Sequence, residues 1–231
     1  MDYQKACRAL KIAEAVLTKS YTKYFLCFGN LLHLIRDRTI EPDKDIDIGV
    51  FYEQADTDAI VRGFEQWQYV PSSRIENDID HKTFNISFKH KGNEELPPID
   101  IFFWFLHDKI RYHTYDILQE KKKYPSQYVF KGVPAKLLPD PNKQARDDTN
   151  IAKSFFGKWN QPYFQFELPI PLMYGSLLDI WYPNWLKPQK MESMTPYVVK
   201  MKSCESWTDR THIACQLADS KIDYESKRKA L

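Results

Sequence analysis

The run Asp45-Ile46-Asp47-Ile48-Gly49-Val50 constrains the fold more than any other stretch. Polar and apolar residues alternate, and a period of two belongs to a β-strand with one buried face. In such a strand Asp45 and Asp47 share one face, and Ile46, Ile48 and Val50 share the other. Two neighbouring carboxylates repel each other. A hard divalent cation that prefers oxygen, Mg²⁺ or Mn²⁺, is the simplest remedy. The segment before it reads as strand, tight turn and short helix. Apolar Tyr24 to Phe28 stops at Gly29, where backbone can approach a ligand without a Cβ in the way. Leu31, Leu32, Leu34 and Ile35 then follow at helical spacing, and Pro42 breaks the chain before the acidic strand. A glycine turn at a helix start suits a phosphate. Placed just ahead of a carboxylate pair, it points to phosphoryl-group chemistry.

A third carboxylate fits the same scheme. Pro98 to Leu106 is apolar on both faces, like a central strand, and Asp100 is its only ionisable side chain. A lone carboxylate there costs roughly several kcal/mol unless ionic or hydrogen-bonded partners compensate. If this strand runs beside the Asp45/Asp47 strand, the three acids converge. Two can then hold metal, and the third can hold a second ion or take the acceptor hydroxyl's proton, as in-line phosphoryl transfer requires. The alternative for Asp100 is a strand-end carboxylate that caps a turn after Pro97-Pro98.

The rest of the chain supplies a scaffold. Residues 3–19 form an amphipathic helix with Ala6, Leu10, Ala13, Val16 and Leu17 as its apolar stripe. A second helix spans 55–64, with Asp56 and Asp58 in its first turn, where the helix dipole favours acid. Strands are predicted at 67–70, ended by Pro71-Ser72-Ser73, at 83–89, and more briefly at 110–115 and 128–131. From Leu138 the character changes to Pro-rich and aromatic-rich, with a short helix near 172–179 and an aromatic cluster from Trp181 to Trp185. The expected architecture is α/β (α+β): a mixed, twisted sheet flanked by helices, with an irregular C-terminal extension. No linker divides it, so residues 1–231 read as one domain, with its core at about 1–137 and the extension at about 138–231.

Composition excludes some functions. Hydrophobic residues make up 43% of the chain and aromatics 15%, ample for a packed core. The 33 basic and 31 acidic residues leave a net charge of +2, which gives no argument for a nucleic-acid surface, and none is expected. Cys7, Cys27, Cys204 and Cys215 lack close metal spacing. Cys27 lies in an apolar run as a buried thiol, and the pattern suits a reducing compartment. No signal peptide is visible, and no apolar run approaches the ~18–20 residues of a membrane span. The expectation is a soluble, cytoplasmic protein, with peripheral contact to a membrane left open.

Gly-Asn-Leu-Leu-x-x-x-Arg, then Asp-Lys-Asp-Ile-Asp-Ile-Gly, then a distant Asp in an apolar strand resembles the nucleotidyltransferase fold. More narrowly it resembles the LicD/fukutin family, whose members transfer phosphocholine or phospho-alditols from a CDP-linked donor to a glycan hydroxyl. The family's Gly-Thr-Leu-Leu-Gly-x-x-Arg is matched by Gly29, Asn30, Leu31, Leu32 and Arg36, and its acidic motif by Asp43, Asp45 and Asp47, with Asp100 as third carboxylate. Glu41-Pro42 replaces the usual Pro-Trp. Lys44 stands where many members carry another Asp, and is similar to the fukutin branch. Tyr174-Gly175 resembles a late Tyr-Gly of the family. The good resemblance covers roughly residues 23–106.

The resemblance implies Asp45, Asp47 and Asp100 as catalytic and metal-binding residues for Mg²⁺ or Mn²⁺. It implies Gly29, Asn30, Arg36, Asp43 and Lys44 as the substrate and phosphate set. The donor would be of the CDP-ribitol, CDP-glycerol or CDP-choline type, the acceptor a glycan or glycolipid, and CMP the leaving group. Two other functions share these residues: plain nucleotidyl transfer with release of pyrophosphate, and non-catalytic binding of a nucleotide or glycan. Structural roles compete as well. Arg36 can pair with Asp37 or Asp43, Asp43 can cap a loop, and His33 can be a packed helix residue. Trp181, Tyr182 and Trp185 read chiefly as core, and Lys121-Lys122-Lys123 as a solvated run.

Overall fold

The computed structural model describes residues 2–40, 43–76, 83–92, 95–107, 109–112, 128–130, 133–142, 149–156, 164–182, 184–187 and 198–200. Glu41-Pro42, the lysine run at 121–123 and most of the chain beyond 187 lie outside them.

The first helix, α1 (Tyr3–Lys19), begins where the Asp2 side chain accepts the Lys5 N–H at 3.0 Å. Its stripe of Ala6, Ala9, Leu10, Ala13, Val16 and Leu17 is buried. The chain then runs through β1 (Tyr24–Leu26), α2 (Phe28–Arg36), β2 (Ile46–Phe51) and α3 (Thr57–Glu65). Asp56 caps α3 by accepting the Ala59 N–H at 2.9 Å. Next come β3 (Tyr69–Glu76), β4 (Thr83–His90), β5 (Ile99–His107) and β6 (Ile110–Tyr112). Then follow β7 (Tyr128–Phe130), β8 (Val133–Pro134) and a short 3-10 turn at Ala135–Leu137. The last elements are β9 (Thr149–Phe156), β10 (Phe164–Pro171), α4 (Tyr174–Trp181) and β11 (Val198–Lys200).

The main sheet has the order β1-β2-β5-β4-β3, with β6 added on β5 and β8 on β6. Strands β2 and β5 are parallel and the other neighbours antiparallel, so the sheet is mixed, as the sequence predicts. Strand β3 departs from expectation: it runs on through Pro71-Ser72-Ser73 to Glu76. It is an edge strand, and its register shifts between Pro71 and Ser73. A residue without an N–H is tolerated at a sheet edge or a bulge, which is why Pro71 does not end it.

The two faces of the sheet are covered differently. Ile48, Ile99, Ile101 and Phe88 face the layer of α1 and α3, where Phe64 of α3 meets Phe88 at 4.4 Å between ring centroids. Phe102 and Trp104 face α2 and α4. Phe28 lies edge-on to Phe102 at 4.9 Å, and Trp181 sits 4.8 Å from Phe28 and 5.9 Å from Trp104. These rings make an aromatic floor on the second face. Trp181 is thus core, as expected.

The extension contains an element that the sequence reading left out. Strands β9 and β10 pair antiparallel over eight residues each, from Phe164↔Phe156 to Pro171↔Thr149. This ribbon lies beside β1 and buries Leu168 and Ile170. Strands β7 and β11 also pair, antiparallel. No helix among the described residues is long and apolar enough to cross a membrane.

Candidate active site

Two strand facts assemble the acids. Asp47 and Asp100 are direct partners across the parallel β2/β5 pair, and Asp45 precedes Asp47 by two residues, on the same face. Asp45, Asp47 and Asp100 each offer a carboxylate oxygen, and these oxygens lie within 4.8 Å of one another. All three side chains are partly buried. They sit at the margin of the aromatic floor, where Asp100 precedes Phe102 by two residues on the same face of β5.

The electrostatics follow from this placement. Burial pushes the Asp47 carboxyl well above the usual carboxylate range, and Asp45, Asp100 and Asp43 raise it further, against the backbone N–H of Gly29. Asp100 is pushed up to about 6, chiefly by burial, with the Ser87 hydroxyl opposing and Asp45 adding to the rise. Asp45 is raised by burial, opposed by a backbone hydrogen bond and by Lys44. Behind them the buried Cys27 thiol is pushed up by burial and by Asp47 and Asp100, so it stays protonated and inert. Crowded carboxylates that resist ionisation form a donor set suited to a hard, oxygen-seeking dication. The chemistry of the residues present therefore fits Mg²⁺ or Mn²⁺.

The β1–α2 turn and the loop after α2 pack around this cluster. Phe28 has a φ of 47°, unusual for a bulky residue, and its ring contacts with Phe102, Trp104 and Trp181 hold it there. The turn aims the Gly29 N–H at the Asp47 carboxylate. A Cβ on Gly29 would lie 2.8 Å from Asp43 Oδ1, so the glycine makes room for that side chain. Asn30 is fully buried. Its Nδ2 donates to Asp43 Oδ2 at 2.6 Å and to the Asp45 carbonyl at 3.1 Å, and its Oδ1 accepts the Asp47 N–H at 2.7 Å.

The sequence-derived set is therefore split. Asp45, Asp47 and Asp100 meet as expected. Gly29 and Asn30 adjoin them but spend their hydrogen bonds on the acidic segment. Arg36 forms an ion pair with Asp37, its Nε and Nη2 donating at 2.8 and 2.7 Å, and is not paired with Asp43. Lys44 is exposed beside Asp45. His33 is packed at 8% exposure, as expected, yet its two ring nitrogens face Asp37 and Asp43.

Sequence reasoning passed over two polar residues on β4. Ser87 is the direct partner of Asp100, and Asn85, at 4% exposure, lies 3.3 Å from the Ser87 hydroxyl. Their signal was present in part: Asn85 and Ser87 alternate with Ile86 and Phe88 on a predicted strand, but nothing in the sequence places that strand beside the acids.

Comparison with curated proteins finds no match. A family model described as LicD/FKTN/FKRP, nucleotidyltransferase domain, matches residues 22–139. That span holds the whole acidic cluster, the β1–α2 turn and the main sheet, and it is just over half of the 231-residue chain. The chain belongs to the LicD/FKTN/FKRP family, whose enzymes are of the phosphotransferase type and modify glycans and cell walls.

Proposed function

We propose that this protein is a metal-dependent phosphotransferase that moves a phospho-alditol, phosphosugar or phosphocholine group from a CDP-linked donor to a hydroxyl of a glycan or glycolipid. The observation that carries this reading is the meeting of Asp45, Asp47 and Asp100, with oxygens within 4.8 Å of one another, inside the span that the family model matches. Lys44 in the acidic motif supports a place near the fukutin branch.

Asp45, just ahead of β2, and Asp47, within it, would hold Mg²⁺ or Mn²⁺. When bound, such an ion would supply positive charge against the donor's phosphate oxygens and the leaving oxygen. Asp100, with its carboxyl pushed up to about 6, suits proton acceptance near neutral pH. The acceptor hydroxyl gives its proton to Asp100 as its oxygen bonds to the phosphorus that carries the transferred group. The bond from that phosphorus to the bridging oxygen breaks, and CMP leaves with the electron pair. Lys44 is exposed beside Asp45, and its ammonium would meet the donor's diphosphate. Arg36 has its charge partnered by Asp37.

Nucleotidyl transfer would use the same carboxylates, so the product decides. The protein is incubated with CDP-ribitol, CDP-glycerol, CDP-choline or nucleoside triphosphates, with Mg²⁺ or Mn²⁺ and oligosaccharide acceptors, and the released nucleotide is resolved by chromatography. CMP is the expected product, and its release is lost in Asp45→Ala and Asp47→Ala while both variants keep the native circular dichroism. Pyrophosphate release would establish nucleotidyl transfer instead. Turnover retained in either variant would overturn the site.

A further inference from the structure

One side of α2 carries a polar stripe that the reaction above does not use. Asn30, His33 and Asp37 recur at three- and four-residue spacing, so they lie along one side of the helix and its C-cap. His33 Nδ1 lies 2.7 Å from Asp37 Oδ2, and Nε2 lies 3.5 Å from Asp43 Oδ1. Asp43 is the 2.6 Å partner of Asn30, and Asn30 in turn holds the Asp45 carbonyl and the Asp47 N–H. Arg36 grips both oxygens of Asp37 and closes the far end. The contacts thus run Arg36, Asp37, His33, Asp43, Asn30, and end on the backbone on either side of Ile46.

This chain of contacts has a job that the sheet cannot do. Residues 43–45 precede β2 and have no ladder of their own to fix them. Three like charges, Asp43, Asp45 and Asp47, crowd there, and mutual repulsion would spread them. Asp43 is held instead by Asn30 and His33.

We propose that Asp43, backed by His33, is a positioning residue: through Asn30 it fixes the backbone that carries Asp45 and Asp47 in ion-receiving geometry before an ion arrives. The inference deepens the proposed function and rests on its metal site, but the brace itself can be measured without metal.

The test uses the full chain and two readouts. The first is metal-free amide hydrogen exchange at Asp47, whose N–H is bonded to Asn30. Exchange accelerates in Asp43→Ala and His33→Ala, and the His33 effect vanishes once Asp43 is already Ala. Asp43→Asn keeps an acceptor for Asn30 and retains most of the protection, which also covers the case in which Asp43→Ala fails to fold. The second is Mn²⁺ affinity by electron paramagnetic resonance. It weakens by about 10–100-fold in Asp43→Ala, as for residues that orient metal ligands, and by less in His33→Ala, with the double variant no weaker than Asp43→Ala alone. Unchanged exchange at Asp47 in both single variants, or independent additive effects of the two, overturns the brace. Wild-type protein that binds no Mn²⁺ while the exchange pattern holds overturns the metal reading and leaves the brace standing.

Discussion

Asp100 shows what a carboxylate costs where it stands. Its folded pKa of about 6 lies above the roughly 3.9 of a free aspartate. Between those values the native state holds a proton that the unfolded chain has released. The metal-free protein is therefore stabilised by acid, and this contribution fades as pH rises from about 4 to 6. For Asp100 alone the difference is on the order of 3 kcal/mol. Asp45 and Asp47 shift in the same direction, while Asp37, lowered by Arg36 and His33, acts against them. Urea midpoints in chelator are expected to fall from pH 4.5 to pH 7, and Asp100→Asn is expected to make that slope shallower, with Asp45 and Asp47 carrying the rest. Mn²⁺ at pH 7 should restore stability, because a bound dication does what the proton did. A metal-free midpoint that climbs over this interval, or a slope unchanged in Asp100→Asn, would show that the cluster does not carry the strain assigned to it.

Elements were legible where one physical rule governed them. α1 was read at 3–19 and is found there, because an N-cap and an unbroken apolar stripe agree. β2 and β5 were legible for a related reason: one alternates cleanly, the other is apolar on both faces. Their mutual pairing was only a supposition, since adjacency comes from the whole sheet, yet it alone brings Asp100 to Asp47. Strand β3 was cut short because Pro71 was read by its local rule, and an edge position suspends that rule. β10 was missed for the same kind of reason. Phe164, Phe166, Leu168 and Ile170 alternate with Gln165, Glu167, Pro169 and Pro171, but the prolines dominated the reading. The polar side of α2 was hidden behind its leucines, so the braced loop was not seen. Among the elements α4 makes the sharpest forecast. Trp181, 3% exposed, packs on Phe28 and Trp104. Trp181→Ala should cost about 3–5 kcal/mol in a urea titration, with loss of near-ultraviolet dichroism from the aromatic floor. A loss under about 1 kcal/mol, the scale of an ordinary surface substitution, would mean that α4 is not holding that floor.

At the scale of the whole molecule, site and extension depend on the same long-range closure. Asp47 and Asp100 come from strands separated by α3, β3 and β4, so the cluster does not exist until the central sheet is complete. The second face of that sheet is then closed from two distant directions, by α2 ahead of it and α4 far behind. Leu168, Ile170, Leu177, Leu178 and Trp181 belong to the same buried cluster as Phe28, Phe102 and Trp104. A chain ended after Asn142 would lose that cover and leave the floor, including Trp104 at 0% exposure, open to water. Apolar surface returned to water costs about 25 cal/mol per Å², and a few hundred Å² would exceed much of the stability of a typical domain. Residues 1–142 alone are therefore expected to melt without cooperativity, to bind the dye ANS, and to bind Mn²⁺ more weakly than the full chain. If the fragment instead melts in one sharp transition with unchanged Mn²⁺ affinity, the acidic site needs only the family-matched part of the chain, and the extension serves some other purpose, such as the acceptor.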